Sequence, residues 1–392
     1  MATKPKIALV CDIRNWCFDH IATEIKNNLS QTFSFDIFYA NDDYPSIPKL
    51  YQDLLCNNYD LVHFFWRLQL FNLLNFDVIR YTPPPFSATA ISMAQTCLTT
   101  SVYDHAFLGP KETQFYESIY SCLSDAYTVS SNKLFQLYSN IPNYQPPDAI
   151  IQDGVNLLIF YPKNIQRFSH RKKSQHLTVG WVGNSKWALK KGMDNKGVET
   201  IIKPAILQLQ QEGYNIISDF ADRNKSFTPY KKMVDYYQKI DVLVCASDIE
   251  GTPNPVLEAM ACGVPVVSTN VGIVDEVFGP LQTKFIFERN VESLKLKLKE
   301  LLASPPILAQ LSAENQKQIQ PFTRSRESLK WKDFFKKALI RNHQKNTNQK
   351  LANISQHLLK SGLQKIDYLQ KNIRLQKTIA HKLKVGLYLE KI

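Results

Sequence analysis

The chain has 392 residues, of which 44% are hydrophobic and 11% aromatic. That is enough for two or three domains with real cores, and it excludes wholesale disorder. Seven cysteines at 11, 17, 56, 97, 122, 245 and 262 form no CxxC pair, which excludes a disulfide framework and a cysteine metal cluster and suits a reducing cytoplasm. The formal charge of +12 is uneven: residues 341–392 carry eleven Lys/Arg against two acids, leaving 36 against 33 in the rest. A nearly neutral body with a basic tail, and no recognisable nucleic-acid module, excludes nucleic acid as the expected partner.

In chain order, Lys6–Cys11 is an apolar β-branched run and predicts a strand. The segment before it lacks the long apolar region and cleavage site of a signal peptide, and no run of eighteen apolar residues follows anywhere, so the expected location is cytoplasmic. A helix around His20–Leu29, a strand Phe35–Tyr39, a helix Leu50–Cys56 and a strand Leu61–Phe65 come next. Cys97–Val102, Ala126–Ser130 and Ala149–Gln152 continue the series. From Phe160 to Ser174 the apolar periodicity gives way to Arg167, His170, Arg171, Lys172 and Lys173, which reads as an interdomain linker. A second alternation follows: strand Leu177–Val182, helix Val198–Glu212, strand Tyr214–Phe220, helix Lys231–Gln238, strand Val242–Ala246, helix Pro255–Ala261 and strand Val264–Ser268. Strands alternating with helices imply parallel sheets with crossovers on both faces. The expected fold is therefore α/β, with two doubly wound Rossmann-like domains over 1–165 and 166–323 facing across a cleft. A helix over 324–340, with Trp331 and the Phe334-Phe335 pair, is expected to return to the first domain. Residues 341–392 form a basic amphipathic tail. Apolar side chains at 351, 354, 358, 366, 369, 373, 379 and 383 fall close to helical spacing. Such a helix can lie on an anionic membrane surface, pack on its own domain, or pair with another subunit in a homo-oligomer.

The chemistry concentrates in Ser247-Asp-Ile-Glu250-Gly-Thr-Pro-Asn-Pro-Val-Leu-Glu258-Ala-Met-Ala-Cys-Gly-Val-Pro-Val-Val267. It leaves a strand, turns through Gly251 and two prolines and enters a helix, whose first amides lack partners and favour anions. Glu250 stands before the turn and Glu258 about one helical turn inside. As plain structure, both could simply flank a helix start.

The paired glutamates followed by Ala-Met-Ala-x-Gly-x-Pro-Val-Val resemble the donor site of retaining family-4 glycosyltransferases of the GT-B fold. Ile151-Gln-Asp-Gly-Val-Asn156, Phe160-Tyr-Pro162, Asp125-Ala-Tyr-Thr-Val-Ser130 and Lys196-Gly197 resemble further segments of that family. The likeness covers residues 125–280 well and 1–120 thinly. It implies a nucleotide-sugar substrate, no cofactor and no metal. Glu258 would hold the ribose, Glu250 the donor sugar, and Lys196 the leaving diphosphate. The backbone of Gly251, Thr252, Pro253, Asn254, Pro255 and Val256 would line the sugar and phosphate site, with Gly183, Asn184, Ser185 and Lys186 beside it. The family's arginine after the glycine is missing here, so its basic partner is Lys186 or absent; Asn184 and Ser185 also read as ordinary turn formers. The first strand feeds no glycine loop, which leaves Arg14, Asn15 and Trp16 to shape the acceptor side by their side chains. The family's histidine has two candidate replacements, Asp104 and His105. Arg67, at a strand end, either faces the cleft or is a plain surface arginine, the favoured reading. Trp16 and Trp187 read first as packing residues, His20 and His63 as structural, and Asp42-Asp43 as no metal site. The acceptor implied is a glycan or polyprenol-linked glycan, in surface polysaccharide or glycoconjugate assembly at the inner membrane face. The rival readings are a nucleotide-sugar 2-epimerase and a non-catalytic sugar-binding or membrane scaffold.

Overall fold

A computed structural model describes residues 3–75, 86–106, 108–172, 174–185 and 194–360. The first half forms a six-stranded parallel sheet of β1 (Lys6–Cys11), β2 (Ser34–Tyr39), β3 (Leu61–Phe64), β4 (Cys97–Val102), β5 (Ala126–Val129) and β6 (Ala149–Ile150). Its spatial order is β2-β1-β3-β4-β5-β6. The second half adds β7 (Leu177–Gly183), β8 (Ile216–Asp222), β9 (Val242–Cys245) and β10 (Val266–Ser268), also parallel, in the order β10-β9-β7-β8. Both orders are doubly wound, as the α/β reading requires.

Strands such as β1 and β9 are continuous apolar runs because each sheet is covered on both faces. Along β1 the side chains alternate: Ala8 and Val10 enter the core beneath helix Ile47–Cys56, while Ile7, Leu9 and Cys11 enter the one beneath helices Cys17–Leu29 and Arg324–Gln344. Helix Arg324–Gln344 crosses back from the second domain and buries Trp331, Phe334 and Phe335 against the first. There His63 sits fully buried on β3, its ring hydrogen-bonded to Thr99 Oγ1 (3.0 Å) and Ser101 Oγ (3.2 Å), edge-on to Phe65 and Trp331. Burial pushes its imidazole down to about 3, so it stays neutral.

Two sequence expectations need correction. Residues 160–174 are no detached linker. Phe160 and Phe168 are buried in the second domain, Arg167 donates to the carbonyls of Gln238, Tyr237 and Ile240, and Arg171 pairs with Asp241 at 2.8 Å. The basic run is polar because it satisfies a helix end and a buried carboxylate. The crossing itself lies earlier, where the Val155 amide donates to Phe322 O (2.9 Å) and the Arg324 amide to Val155 O (3.1 Å). Gly154 there has φ +66°, and a Cβ on it would strike the Arg324 backbone. The element ends also shift: β8 starts at Ile216 and runs to Asp222, β10 starts at Val266, and the helix expected over 231–238 spans Met233–Tyr237.

The described part of the tail, a helix over 347–360, lies on the first domain. Ile354 and Leu358 join its core with Leu351 beside them, so these apolar side chains face protein. Lys345 and Lys350 close on Asp125 at 3.1 and 2.7 Å, and the Leu98 amide donates to the same carboxylate at 2.8 Å. The remaining tail positions lie outside the described residues.

Asp125→Ala strands two buried ammonium groups and an amide. It should lower the unfolding free energy by roughly 3 kcal/mol, measured as the urea midpoint; a loss below about 1 kcal/mol would show that the lysines reach water instead. His63 gives a pH signature. Because its folded pKa lies below the unfolded value, its contribution is full above the unfolded pKa and fades as pH falls from about 6.5. Between pH 6 and 4, His63→Leu should therefore flatten the stability curve by up to ~1.4 kcal/mol per pH unit.

Candidate active site

In the second sheet the winding reverses between β7 and β9, which opens a crevice at their carboxyl ends. The described residues at this edge come from two segments, 194–197 ahead of the next helix and the loop after β9. The first ends in a turn whose Asp194 carboxylate accepts the amides of Glu199 (2.8 Å) and Thr200 (2.9 Å), capping the next helix. Gly197 follows with φ +67°, where a side chain would collide with the Ala246 carbonyl. Arg289 ties the loops together by donating to Ala246 O (2.9 Å) and to Asp194 O, and the Asp248 amide donates to Asn195 O (2.8 Å). The outcome is an ion pair between Lys196 and Glu250, whose Oε1 also accepts Ser247 Oγ at 2.8 Å. Burial pulls the Lys196 ammonium down, but Glu250 more than offsets it, so it is held above its ordinary value.

Glu258 lies on helix Asn254–Ala261 and is buried. The Tyr237 hydroxyl donates to its Oε2 at 2.7 Å. Burial pushes the carboxyl up to about 7, with the Tyr237 bond and the Arg324 charge working the other way. At the head of this helix the side-chain Nδ2 of Asn254 donates to Asp153 Oδ2 at 2.7 Å and lies 3.1 Å from Cys17 Sγ, whose thiol also donates to Asp153 at 3.3 Å. Burial raises Asp153 to about 6, and its other oxygen has no hydrogen-bond partner among the described residues. Pro255 falls in the first turn, where no N–H is needed.

This loop touches the first domain. A Cβ on Gly251 would run into Ser130 Oγ and the Tyr103 carbonyl, and Thr252 Oγ1 donates to Ser130 O at 3.3 Å. Glu276 accepts the Asn132 amide (2.8 Å), its side chain (2.6 Å) and Gln152 Nε2 (2.9 Å), while Lys133 pairs with Asp275 at 3.1 Å.

The structure thus brings together Lys196, Glu250, Gly251, Thr252, Pro253, Asn254 and Glu258. Pro255 and Val256 continue the helix, with Val256 buried in the core. Gly183, Asn184 and Ser185 stand at the end of β7, bound sideways to β8: Ser185 Oγ donates to Asp222 Oδ2 (2.7 Å) and Asn224 Nδ2 to Asn184 Oδ1 (2.7 Å). Lys186 and Trp187 lie outside the described residues.

On the first domain the reversal falls between β1 and β3. Trp16, after β1, is half-buried, and the Arg223 guanidinium of the other domain lies 4.1 Å over its ring. Asn15 takes φ 56°, a conformation asparagine tolerates. Arg14 is exposed and gripped by Asp43 at 2.5 and 2.7 Å, so it faces the Asp42-Asp43 turn. Arg67 corrects the surface reading. It is buried because Asp104 neutralises it at 2.6 Å and the Ala106 carbonyl accepts from it at 3.1 Å. Asp104 also accepts the Ala106 amide at 2.9 Å, and His105 stands next to it, half-buried. Among the described residues no group of three His, Cys, Asp or Glu could hold a metal ion, and no helix is long and apolar enough to cross a membrane.

Four participants carry no motif that singles them out. Tyr237 and Arg223 follow no pattern in the chain, Arg324 is one arginine among many, and Asp153 sits in a quoted segment without an assigned role. Each becomes visible only when distant segments meet.

Residues 223–318 match the family model "Glycosyl transferases group 1". A segment of 91 residues is 33% identical to the putative teichuronic acid biosynthesis glycosyltransferase TuaC of Bacillus subtilis (strain 168), covering 23% of this chain and 21% of that protein. The chain thus spans about a fifth of this curated relative's length. Among solved structures, sucrose-phosphate synthase from Thermosynechococcus elongatus superposes with a TM-score of 0.63 at 15% identity, over 85% of this chain and 99% of that one. Anabaena HepE in complex with UDP and glucose superposes with a TM-score of 0.56 at 13% identity, over 85% and 100%. Starch synthase IV from Arabidopsis thaliana, bound to ADP and acarbose, gives 0.58 at 10% identity, over 86% and 100%. At such identities the likeness is one of fold. The stretch 223–318, which holds the glutamate-bearing loop, is thus similar to the group-1 glycosyltransferases, and the two doubly wound domains have the GT-B fold.

Proposed function

We propose that the protein is a retaining, metal-independent glycosyltransferase. It moves a sugar from a nucleotide-sugar to a glycan or polyprenol-linked glycan in the assembly of surface polysaccharide. The observation that carries this reading is the meeting of Lys196 and Glu250 at the strand reversal, beside the buried Glu258. The reading is also supported by neighbours of the same fold crystallised with UDP, UDP-glucose or ADP, and by the teichuronic acid relative.

In this reading Glu258 accepts the ribose hydroxyls, which favour its charged form. The diphosphate lies against the first amides of helix Asn254–Ala261 and Lys196, and Glu250 faces the sugar while keeping Lys196 in place. As the bond from the anomeric carbon to the diphosphate oxygen breaks, its electron pair stays on that oxygen, where the ammonium and amide dipoles stabilise it. The acceptor hydroxyl attacks from the face the diphosphate leaves and gives its proton to the departing phosphate. Asp104, already neutralised by Arg67, orients the acceptor side with His105. Residues 361–392 carry seven Lys/Arg against two acids, a composition that supports contact with an anionic inner membrane face.

A thermal-shift series with UDP, GDP, ADP, CDP and dTDP tests the donor site. One nucleotide at a hundredfold its dissociation constant should stabilise the wild type by about 2.7 kcal/mol, and Glu258→Ala, still folded, should lose that stabilisation. If none of the five shifts the wild type, the donor-site reading fails. Lys196→Ala should reduce kcat by roughly 10²–10³-fold with a smaller change in KM; an unchanged kcat removes Lys196 from leaving-group stabilisation.

A further inference from the structure

Among the described residues, the cations around the site are already engaged. Lys196 is matched by Glu250, Arg289 is spent on two backbone carbonyls, and Lys133 is held by Asp275. A dianionic group entering this crevice favours a further cation beside Lys196.

Arg223 is placed to supply it. It directly follows β8, whose last residue, Asp222, lies opposite Gly183 of β7, and its own amide donates to Gly183 O at 2.9 Å. The residue therefore stands at the same carboxyl edge as the loop that carries Lys196. Asp222, the nearest carboxylate in sequence, is turned away and occupied by Ser185 and Asn224. Among the described residues Arg223 has no ion pair. Its guanidinium rests instead on the Trp16 ring across the cleft at 4.1 Å, with Phe227 at 5.6 Å. Asp12 acts on it only at longer range. An arginine parked on an indole keeps its donors available, because the contact uses the face of the guanidinium and leaves its N–H edge unspent.

We propose that Arg223 is a further cation for the donor's diphosphate, resting on Trp16 and transferred to the phosphate oxygens when the donor binds. The proposal rests on the glycosyltransferase reading above. A planar two-pronged bond to phosphate is stronger than a guanidinium–indole contact in a cleft open to water, so the transfer runs downhill. Trp16 then acts as a positioning residue, a resting place supplied by the opposite domain.

The test is calorimetric binding of UDP, GDP, ADP, CDP and dTDP, and of each matching nucleoside, to wild type, Arg223→Ala, Arg223→Lys and Trp16→Ala. For the base the wild type prefers, Arg223→Ala should weaken the diphosphate roughly 10- to 100-fold and leave the nucleoside within about twofold. Arg223→Lys should recover part of the loss, since it restores charge without the fork. Trp16→Ala should bind the diphosphate at least as tightly as wild type. Wild-type diphosphate affinity in Arg223→Ala overturns the proposal while the function stands, and an equal loss of nucleoside and diphosphate overturns it by showing a structural role. Failure of the wild type to bind any of the five overturns the functional reading and this proposal together.

Discussion

Arg324 is the charge around which the two domains are arranged. It is buried at the first position of helix Arg324–Gln344, where the positive end of the helix dipole adds to the cost of burying a cation. Desolvation works against its charge, but Tyr230, Cys17, Glu258 and Asp153 together hold the guanidinium above its ordinary value. Its side chain lies 5.3 Å over the Tyr230 ring and donates to the Gly154 carbonyl at 3.3 Å, and Glu327 sits in the same first helical turn. One cation thus stands between the crossover, the buried carboxylate of the first domain and the glutamate assigned to the ribose. Burial holds the Glu258 carboxyl above its ordinary value despite this neighbour.

The same reasoning explains why the cleft is already in contact across its floor. Gly251 has no side chain because Tyr103 and Ser130 occupy that space, and Gly272 is pressed against the Gly251 carbonyl on the other side. The loop with the two glutamates is therefore sandwiched between its own domain and the strand ends of the other. Asn254 reaches through the same interface to Asp153. Relative motion of the domains must move these contacts together with the site they border.

Much of this architecture is legible in the chain. Buried parallel strands such as β1 and β9 are apolar runs, and the alternation of strands with helices specifies the doubly wound order. Glu250 and Glu258 are legible because a strand, a proline-rich turn and a helix are compressed into one segment. The Tyr237 bond to Glu258 spans 21 residues and the Trp16–Arg223 contact more than two hundred, and no local spacing encodes either. Residues 160–174 mislead for a related reason: Arg167 and Arg171 look solvated until the carbonyls and the carboxylate they neutralise come into view. The tail shows the reverse, since the periodicity of 351, 354 and 358 is visible while the surface it covers is not.

The side-by-side crossing at Gly154–Val155 and Phe322–Arg324 has a consequence for biogenesis. The chain enters and leaves the second domain at adjacent points, so that domain is an insertion within the first. The first sheet meets Trp331, Phe334 and Phe335 and then Ile354 and Leu358 only after the whole second domain has been synthesised. During translation the later half can collapse as a closed unit while the earlier half still exposes apolar faces to the chaperone machinery. The N-terminal domain is the one completed last.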